Sequence, residues 1–143
     1  MNVATANGAP ATSLSSAETQ IQTVTITPTS SSAKILILAR VDIKKDVGTT
    51  VRTATTRVRR GTTNTDPIVS QTSITRSANV ASSDPNGPAI ILAVDSPATT
   101  SATTYRLSGQ VDAGNETAER YEITAIEDNE TGGARLELRR EQH

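Results

Sequence analysis

The chain of 143 residues has no cysteine, no phenylalanine and no tryptophan, and only one histidine and two tyrosines. Without cysteine there is no disulfide scaffold, no thiolate zinc or iron–sulfur site and no thiol nucleophile. His143 is the sole histidine and stands last, so neither a Ser–His pair nor a histidine-based metal site is expected. An enzyme is therefore not expected, and no cofactor is implied. Long apolar runs are also missing. The longest, Ile35–Ala39 and Ala89–Val94, fall far short of the ~20 residues of a membrane-crossing helix. Charge of one sign is missing too: 14 Lys and Arg against 15 Asp and Glu leave a net charge of −1. Binding to nucleic acid by phosphate neutralisation is not expected at that balance. The start, Met1 to Asn7, has neither the basic nor the apolar region of a secretory signal, so folding in a cytoplasm is expected.

Present instead are 24 Thr, 14 Ser and 18 Ala, against only 28 Ile, Leu and Val together. Threonine favours strands without adding much exposed apolar area. The aliphatic content is thin, and the large aromatic contribution to buried area is almost absent. Shared burial between identical chains is the simplest remedy for such a core.

Residues 1–18 are small, polar and aperiodic, and read as an extended arm that orders against a neighbouring chain. Val3 and Leu14 are its best apolar anchors for a partner. Gln20 to Thr27 is β-branched and largely alternating, a strand signature. Lys34 to Ile43 is the clearest strand: Ile35, Ile37, Ala39, Val41 and Ile43 share one face at period two. Leu36 and Leu38 occupy the other face before Arg40 and Asp42, which predicts burial on both sides at one end. Thr49 to Arg60 and Ile68 to Ile74 follow as strands, separated by the loop Gly61 to Pro67. Arg76 to Pro88 is a long loop centred on Asp84-Pro85-Asn86-Gly87-Pro88. Ala89 to Asp95 reads as a strand buried on both faces. Thr103 to Val111 alternates Tyr105, Leu107, Gly109 and Val111, and Arg120 to Glu127 alternates Tyr121, Ile123 and Ala125. Leu136 and Leu138 give a last short strand before the charged end, residues 139–143. About eight strands, turn signals between them and no helix-period segment predict an all-β sandwich or barrel over residues 19–138.

Chemical motifs are sparse. Asp66 and Asp95 sit at strand ends, where turn capping is the plain reading. The oxygen-rich Asp84–Asn86 stretch matches no known calcium-loop spacing. Asn115-Glu116-Thr117 and Asn129-Glu130-Thr131 fit the glycosylation pattern, as chance predicts in a threonine-rich chain. Arg52, Arg57, Arg59, Arg60 and Arg76 form the one basic cluster. Pairing with carboxylates elsewhere is favoured over a polyanion site, since few aromatic residues are available for base stacking.

Three segments carry a resemblance. Val58-Arg59-Arg60-Gly61-Thr62 closes a threonine-rich strand. Ile90 to Asp95 runs into Ser96-Pro97. Thr103-Thr104-Tyr105-Arg106-Leu107 then opens a strand, and Ile123-Thr124-Ala125-Ile126-Glu127 follows a Gly/Asn turn. In this order, over about residues 34–127, the chain resembles small virion proteins of tailed bacteriophages with a trimeric, TNF-like jelly-roll domain. It departs from them in the sixteen residues after that last strand and in the long N-terminal arm. The resemblance implies an antiparallel jelly roll and a homotrimer whose closed symmetry backs the thin core. It implies a virion location after assembly in a host cytoplasm. The function it implies is a capsid decoration (cement) protein that binds the major capsid protein or other virion proteins and stabilises the head shell. Val3 and Leu14 of the arm would make that contact. The alternative is a tail-fibre or tail-appendage domain that binds a host receptor or glycan through loops 61–67 and 78–88, with Tyr105 and Tyr121 as the available sugar-stacking residues.

Overall fold

A computed structural model describes residues 2–8, 11–45, 52–76, 87–112 and 116–128. Among them are nine strands: β1 Val3–Gly8, β2 Thr12–Leu14, β3 Thr19–Ile26, β4 Lys34–Lys45, β5 Arg52–Arg60, β6 Ile68–Arg76, β7 Gly87–Asp95, β8 Thr103–Val111 and β9 Glu116–Asp128. They form two sheets. The first runs β1-β9-β4-β7, with β2 also paired to β9, and the second runs β3-β8-β5-β6.

The pairing is nested. β1 and β2 pair with β9, β3 with β8, β4 with β7 and β5 with β6, all antiparallel. The chain is thus one long hairpin whose successive rungs alternate between two facing sheets. That is the jelly roll, and it closes a sandwich around a single core.

The alternation in β4 sets the inner face. Ile35, Ile37, Ala39, Val41 and Ile43 are all at most 4% exposed. They meet Val24 and Ile26 of β3, Val58 of β5, and Tyr105, Leu107 and Val111 of β8 in one cluster. Tyr121, Ile123 and Ala125 complete it from β9, as their alternation predicts.

A bulge re-aims β9. Val41 pairs with Tyr121 but Asp42 pairs with Glu119, so Arg120 is the extra residue and takes φ +47°. One extra residue in one strand is what lets its neighbours keep their inward direction on both sides. At the β5–β6 turn, Gly61 has φ +131°, and a Cβ there would run into the Asp66 carboxylate. Asp66 turns back to accept the Thr63 amide at 2.8 Å, so the turn needs glycine at that position.

Two expectations differ from this picture. Within residues 1–18, Val3–Gly8 and Thr12–Leu14 are extended, but not as a separate arm: β1 pairs with β9 from Val3↔Ile126 to Gly8↔Tyr121. The backbone groups of this polar segment find their partners in the sheet, which requires no apolar content from it. β7 is not buried on both faces either. Ala89 and Ile91 point inward, while Ile90, Leu92 and Val94 are 60–65% exposed. The expected strand at Leu136–Leu138, the charged end and the Asp84–Asn86 stretch lie outside the described residues.

Candidate functional site

The outer face of the second sheet is polar and internally matched. Its register sets hydroxyls directly opposite one another: Thr25 and Thr104 lie 2.8 Å apart, Thr53 and Thr75 3.1 Å, and Thr55 and Ser73 3.0 Å. The same face carries Arg57 and Arg59 on β5 and Arg106 and Ser108 on β8, and the segment between β2 and β3 folds over them. There Glu18 accepts two hydrogen bonds from Arg59, at 2.7 and 2.8 Å, one from Arg57 at 3.2 Å and one from the Ser108 hydroxyl at 2.6 Å. Arg106 lies 3.7 Å away and donates to Asn64 Oδ1 at 2.6 Å. The Glu18 side chain is 7% exposed. Arg59 hydrogen bonding dominates its titration; burial opposes it, and the Ser108 bond and the arginine charges add to it, bringing the carboxyl down to about 2.

A second clamp joins the sheets. Arg60 of β5 donates to both oxygens of Asp95 of β7, at 2.8 and 2.7 Å, and the Tyr105 hydroxyl donates to the same carboxylate at 2.6 Å. Burial works against ionisation of Asp95, but the Arg60 and Tyr105 bonds outweigh it and hold the carboxyl below its usual range. Burial, reinforced by the Asp95 bond and charge, pushes the Tyr105 hydroxyl far above the ordinary tyrosine value. Arg57, Arg59 and Arg60 of the basic cluster therefore engage Glu18 and Asp95, as the pairing reading expects. The side chains of Arg52 and Arg76 are outside the described set. Among the described residues no group of three or more His, Asp or Glu is placed to hold a metal ion.

The outer face of the first sheet is different in kind. Cross-strand rows there read Val3–Ile126–Leu36–Val94, then Thr5–Thr124–Leu38–Leu92, then Asn7–Glu122–Arg40–Ile90. Val3 is 53% exposed and Leu38 39%; Leu36 and Ile126 are half-buried. Exposed aliphatic side chains are therefore grouped in two of these rows, which makes this face the candidate interaction surface among the described residues.

The sequence-predicted contact residues separate. Val3 belongs to this exposed face. Leu14 is fully buried and packs so closely on Gly109 that a Cβ there would sit 3.0 Å from its Cδ1. Leu14 is a core residue, not a surface anchor, because β2 carries it between the sheets. Leu38, Ile90, Leu92 and Val94 were not singled out as contact residues. In β7 the outward Ile90, Leu92 and Val94 alternate with the inward Ala89, Ile91 and Ala93, but a continuous apolar run reads as buried on both faces.

No protein-family model matches the chain, and no curated protein matches it. Solved structures do. One is the infectious bursal disease virus VP2 subviral particle, at TM-score 0.55 and 11% identity, covering 92% of this chain and 34% of that one. Another is infectious bursal disease virus, Gx strain, at TM-score 0.50 and 11% identity, covering 87% of this chain and 32% of that one. The chain thus spans about a third of either protein. The likeness is to a viral capsid-protein jelly roll, and not to a phage protein in particular.

Proposed function

We propose that the chain is a structural protein of a virion: a jelly-roll decoration (cement) protein that assembles in a host cytoplasm, binds the major capsid protein and stabilises the head shell. One observation supports this reading: a jelly roll like that of a viral capsid protein sets Val3, Leu38, Ile90, Leu92 and Val94 exposed on one sheet face. Val3 stays among the proposed contact residues, on that face, and Leu14 is withdrawn. Closed three-fold association of the chain is part of the proposal, since three copies share the burial that a core without Phe or Trp lacks. Non-enzymatic assembly also agrees with the polar chemistry on the page, where each described arginine of the basic cluster bonds a carboxylate of its own chain. The glycan-binding alternative is not favoured, because Tyr105 is fully buried and Tyr121 is 8% exposed, which removes both stacking candidates.

The test is direct. Purified protein is mixed with capsids of the virus that encodes it, pelleted, and imaged by electron microscopy. Regular density added to the shell is the expected result. Protein that stays in the supernatant with intact capsids, at concentrations where it is folded, would overturn the proposal.

A further inference from the structure

β7 is the last strand of the first sheet on its side, and the register shows which way its backbone points. The Glu127 amide donates to the Asn2 carbonyl, toward β1, at 2.8 Å. Backbone groups alternate in direction along an antiparallel strand. Ile126, Thr124 and Glu122 of β9 therefore turn theirs to Leu36, Leu38 and Arg40 of β4. Ile35, Ile37, Ala39 and Val41 then turn theirs to β7, where their partners are Asp95, Ala93, Ile91 and Ala89. Ile90, Leu92 and Val94 are left with N–H and C=O groups directed away from the sheet, on the side where no strand follows. Among the described residues nothing bonds these groups. Pro88, which has no N–H to offer, stands in the same outward phase, the phase that an edge strand leaves open to proline.

We infer that this edge takes an extended segment of the capsid protein as a further strand of the first sheet. The inference rests on the shell-protein reading and adds to it how the partner is held. The residues with the open backbone are also those whose side chains are 60–65% exposed on the candidate face. A helix laid on the face meets the side chains and leaves the backbone; a strand at the edge, continued over the face, meets both. A second copy paired β7 to β7 meets the backbone but sets two uncovered apolar faces side by side. Such a contact, roughly 20 Å of strand by the ~10 Å depth of a sandwich, spans only about 200 Å² in projection, well short of the ~800 Å² per partner of a stable interface.

The surroundings specify the segment. β6 runs beside β7 at this corner of the sandwich. Val69 and Ile74 of β6 and Ala93 of β7 pack on the core yet stay half-buried, so an added strand has apolar surface to cover on its inner side as well. β7 carries no charge from Gly87 to Val94, and Arg60 neutralises Asp95. The matching segment is uncharged, aliphatic on both faces and roughly five or six residues long, an ordinary strand length. The opposite corner is closed within the chain: the Asn2 and Gln22 side-chain amides donate to the Thr27 and Asn7 carbonyls across β1 and β3, and a bulge interrupts β3. β6 exposes Gln71, Ser73 and Thr75. β7 has no lysine, no bulge against β4 and no proline beyond its second residue, and an edge without those devices accepts another strand.

Leu92→Ala and Leu92→Pro separate side chain from backbone. Both shorten the side chain on the face, and only proline removes an outward N–H, with the bonds to β4 kept. Each variant is pelleted with capsids of the encoding virus, and amide exchange is followed in the parent alone and on capsids. Leu92→Pro is expected to bind at least tenfold more weakly than Leu92→Ala. The Ile90, Leu92 and Val94 amides are expected to exchange fast in the free protein and slowly on capsids, and those of Ile91 and Ala93 slowly in both. Equal binding by the two variants, or outward amides that stay fast on capsids, would overturn the strand addition and leave the shell-protein reading standing. Slow outward amides in a free protein of doubled mass would give the edge to a second copy and overturn it too. If Leu92→Pro does not fold, exchange in the parent decides alone. A parent that binds no capsid would overturn the shell-protein reading, and the proposed occupant of the edge with it.

Discussion

Glu18→Gln removes one negative charge from beneath three arginines and keeps the side chain's shape. In the parent the carboxylate takes four hydrogen bonds, two of them the paired bonds from Arg59. Its pKa falls from 4.5 to about 2 in the fold. At about 1.4 kcal/mol per unit, that shift is worth about 3 kcal/mol at neutral pH. Independent reasoning gives the same size, since breaking one partner of a largely buried pair costs about 3–5 kcal/mol. For a domain of this length 1 kcal/mol is roughly 3–4 °C, so the variant should melt about 10 °C below the parent at pH 7. A depressed carboxyl stabilises the fold above its unfolded value and loses that contribution as pH falls through the folded one. The gap in melting temperature should therefore hold above pH 4.5 and close on the way down to about pH 2. Other acidic groups titrate in both proteins and cancel in the difference. Scanning calorimetry of the pair from pH 2 to 7 reads it. Equal melting at pH 7, or a gap that ignores pH, would refute the assignment of Glu18 as the anchor of the β2–β3 segment.

Ile37→Asp should fail to give a folded protein, because it sets an unpaired carboxylate at a fully buried position at a cost of several kcal/mol; a circular-dichroism melt like the parent's would overturn the β4 register. Gly61→Ala should lower stability by about 1–3 kcal/mol, since alanine strains at positive φ and its Cβ meets Asp66; denaturant titration checks it. Tyr105 should resist deprotonation while the chain is folded. Stability should then be full below the ordinary tyrosine value near 10 and decline above it, as the unfolded chain releases the proton. Ultraviolet absorbance should show the Tyr105 phenolate arising together with unfolding, and a separate earlier ionisation would be the contrary result.

Much of the sandwich was legible because period two leaves so little freedom. Ile35 to Ile43 alternate without a break, so a one-residue slip would expose five aliphatic side chains. Tyr105 to Val111 and Tyr121 to Ala125 read as inward faces for the same reason. The first eighteen residues were not legible as strands. Backbone pairing with β9 holds β1, and a ladder hydrogen bond leaves no trace in side-chain type. Leu14 illustrates the cost: one leucine in a polar stretch looks like an anchor for a partner and is an anchor for its own core. The arginine pairing could be anticipated in kind from the balance of charges, but Glu18 could not be named, because it lies 39 to 90 positions from the groups it bonds. The surface of β7 failed in the opposite way. Apolar residues on both sides of a strand read as burial on both sides, yet Ile90, Leu92 and Val94 are 60–65% exposed.

The two outer faces answer a single problem differently. A sheet face must satisfy its exposed side chains either among themselves or with a partner. On the second sheet, hydroxyls meet hydroxyls directly across the strands, each such pair contributing some tenths of a kcal/mol, and the arginines are closed off by Glu18. Most of that face's described polar groups are thus matched within one chain. On the first sheet, among the described residues, Thr5 and Thr124, 3.1 Å apart, repeat the hydroxyl pairing; Val3, Ile126, Leu36, Leu38, Leu92 and Val94 lie on one side of them and Asn7, Glu122 and Arg40 on the other. Threonine would have suited those strands equally well by propensity, and it fills the other face. The difference between the faces is therefore not a requirement of the fold. The proposed function accounts for it: the second sheet's outer face is matched within the chain, and the first sheet's aliphatic side chains are those proposed to meet another protein.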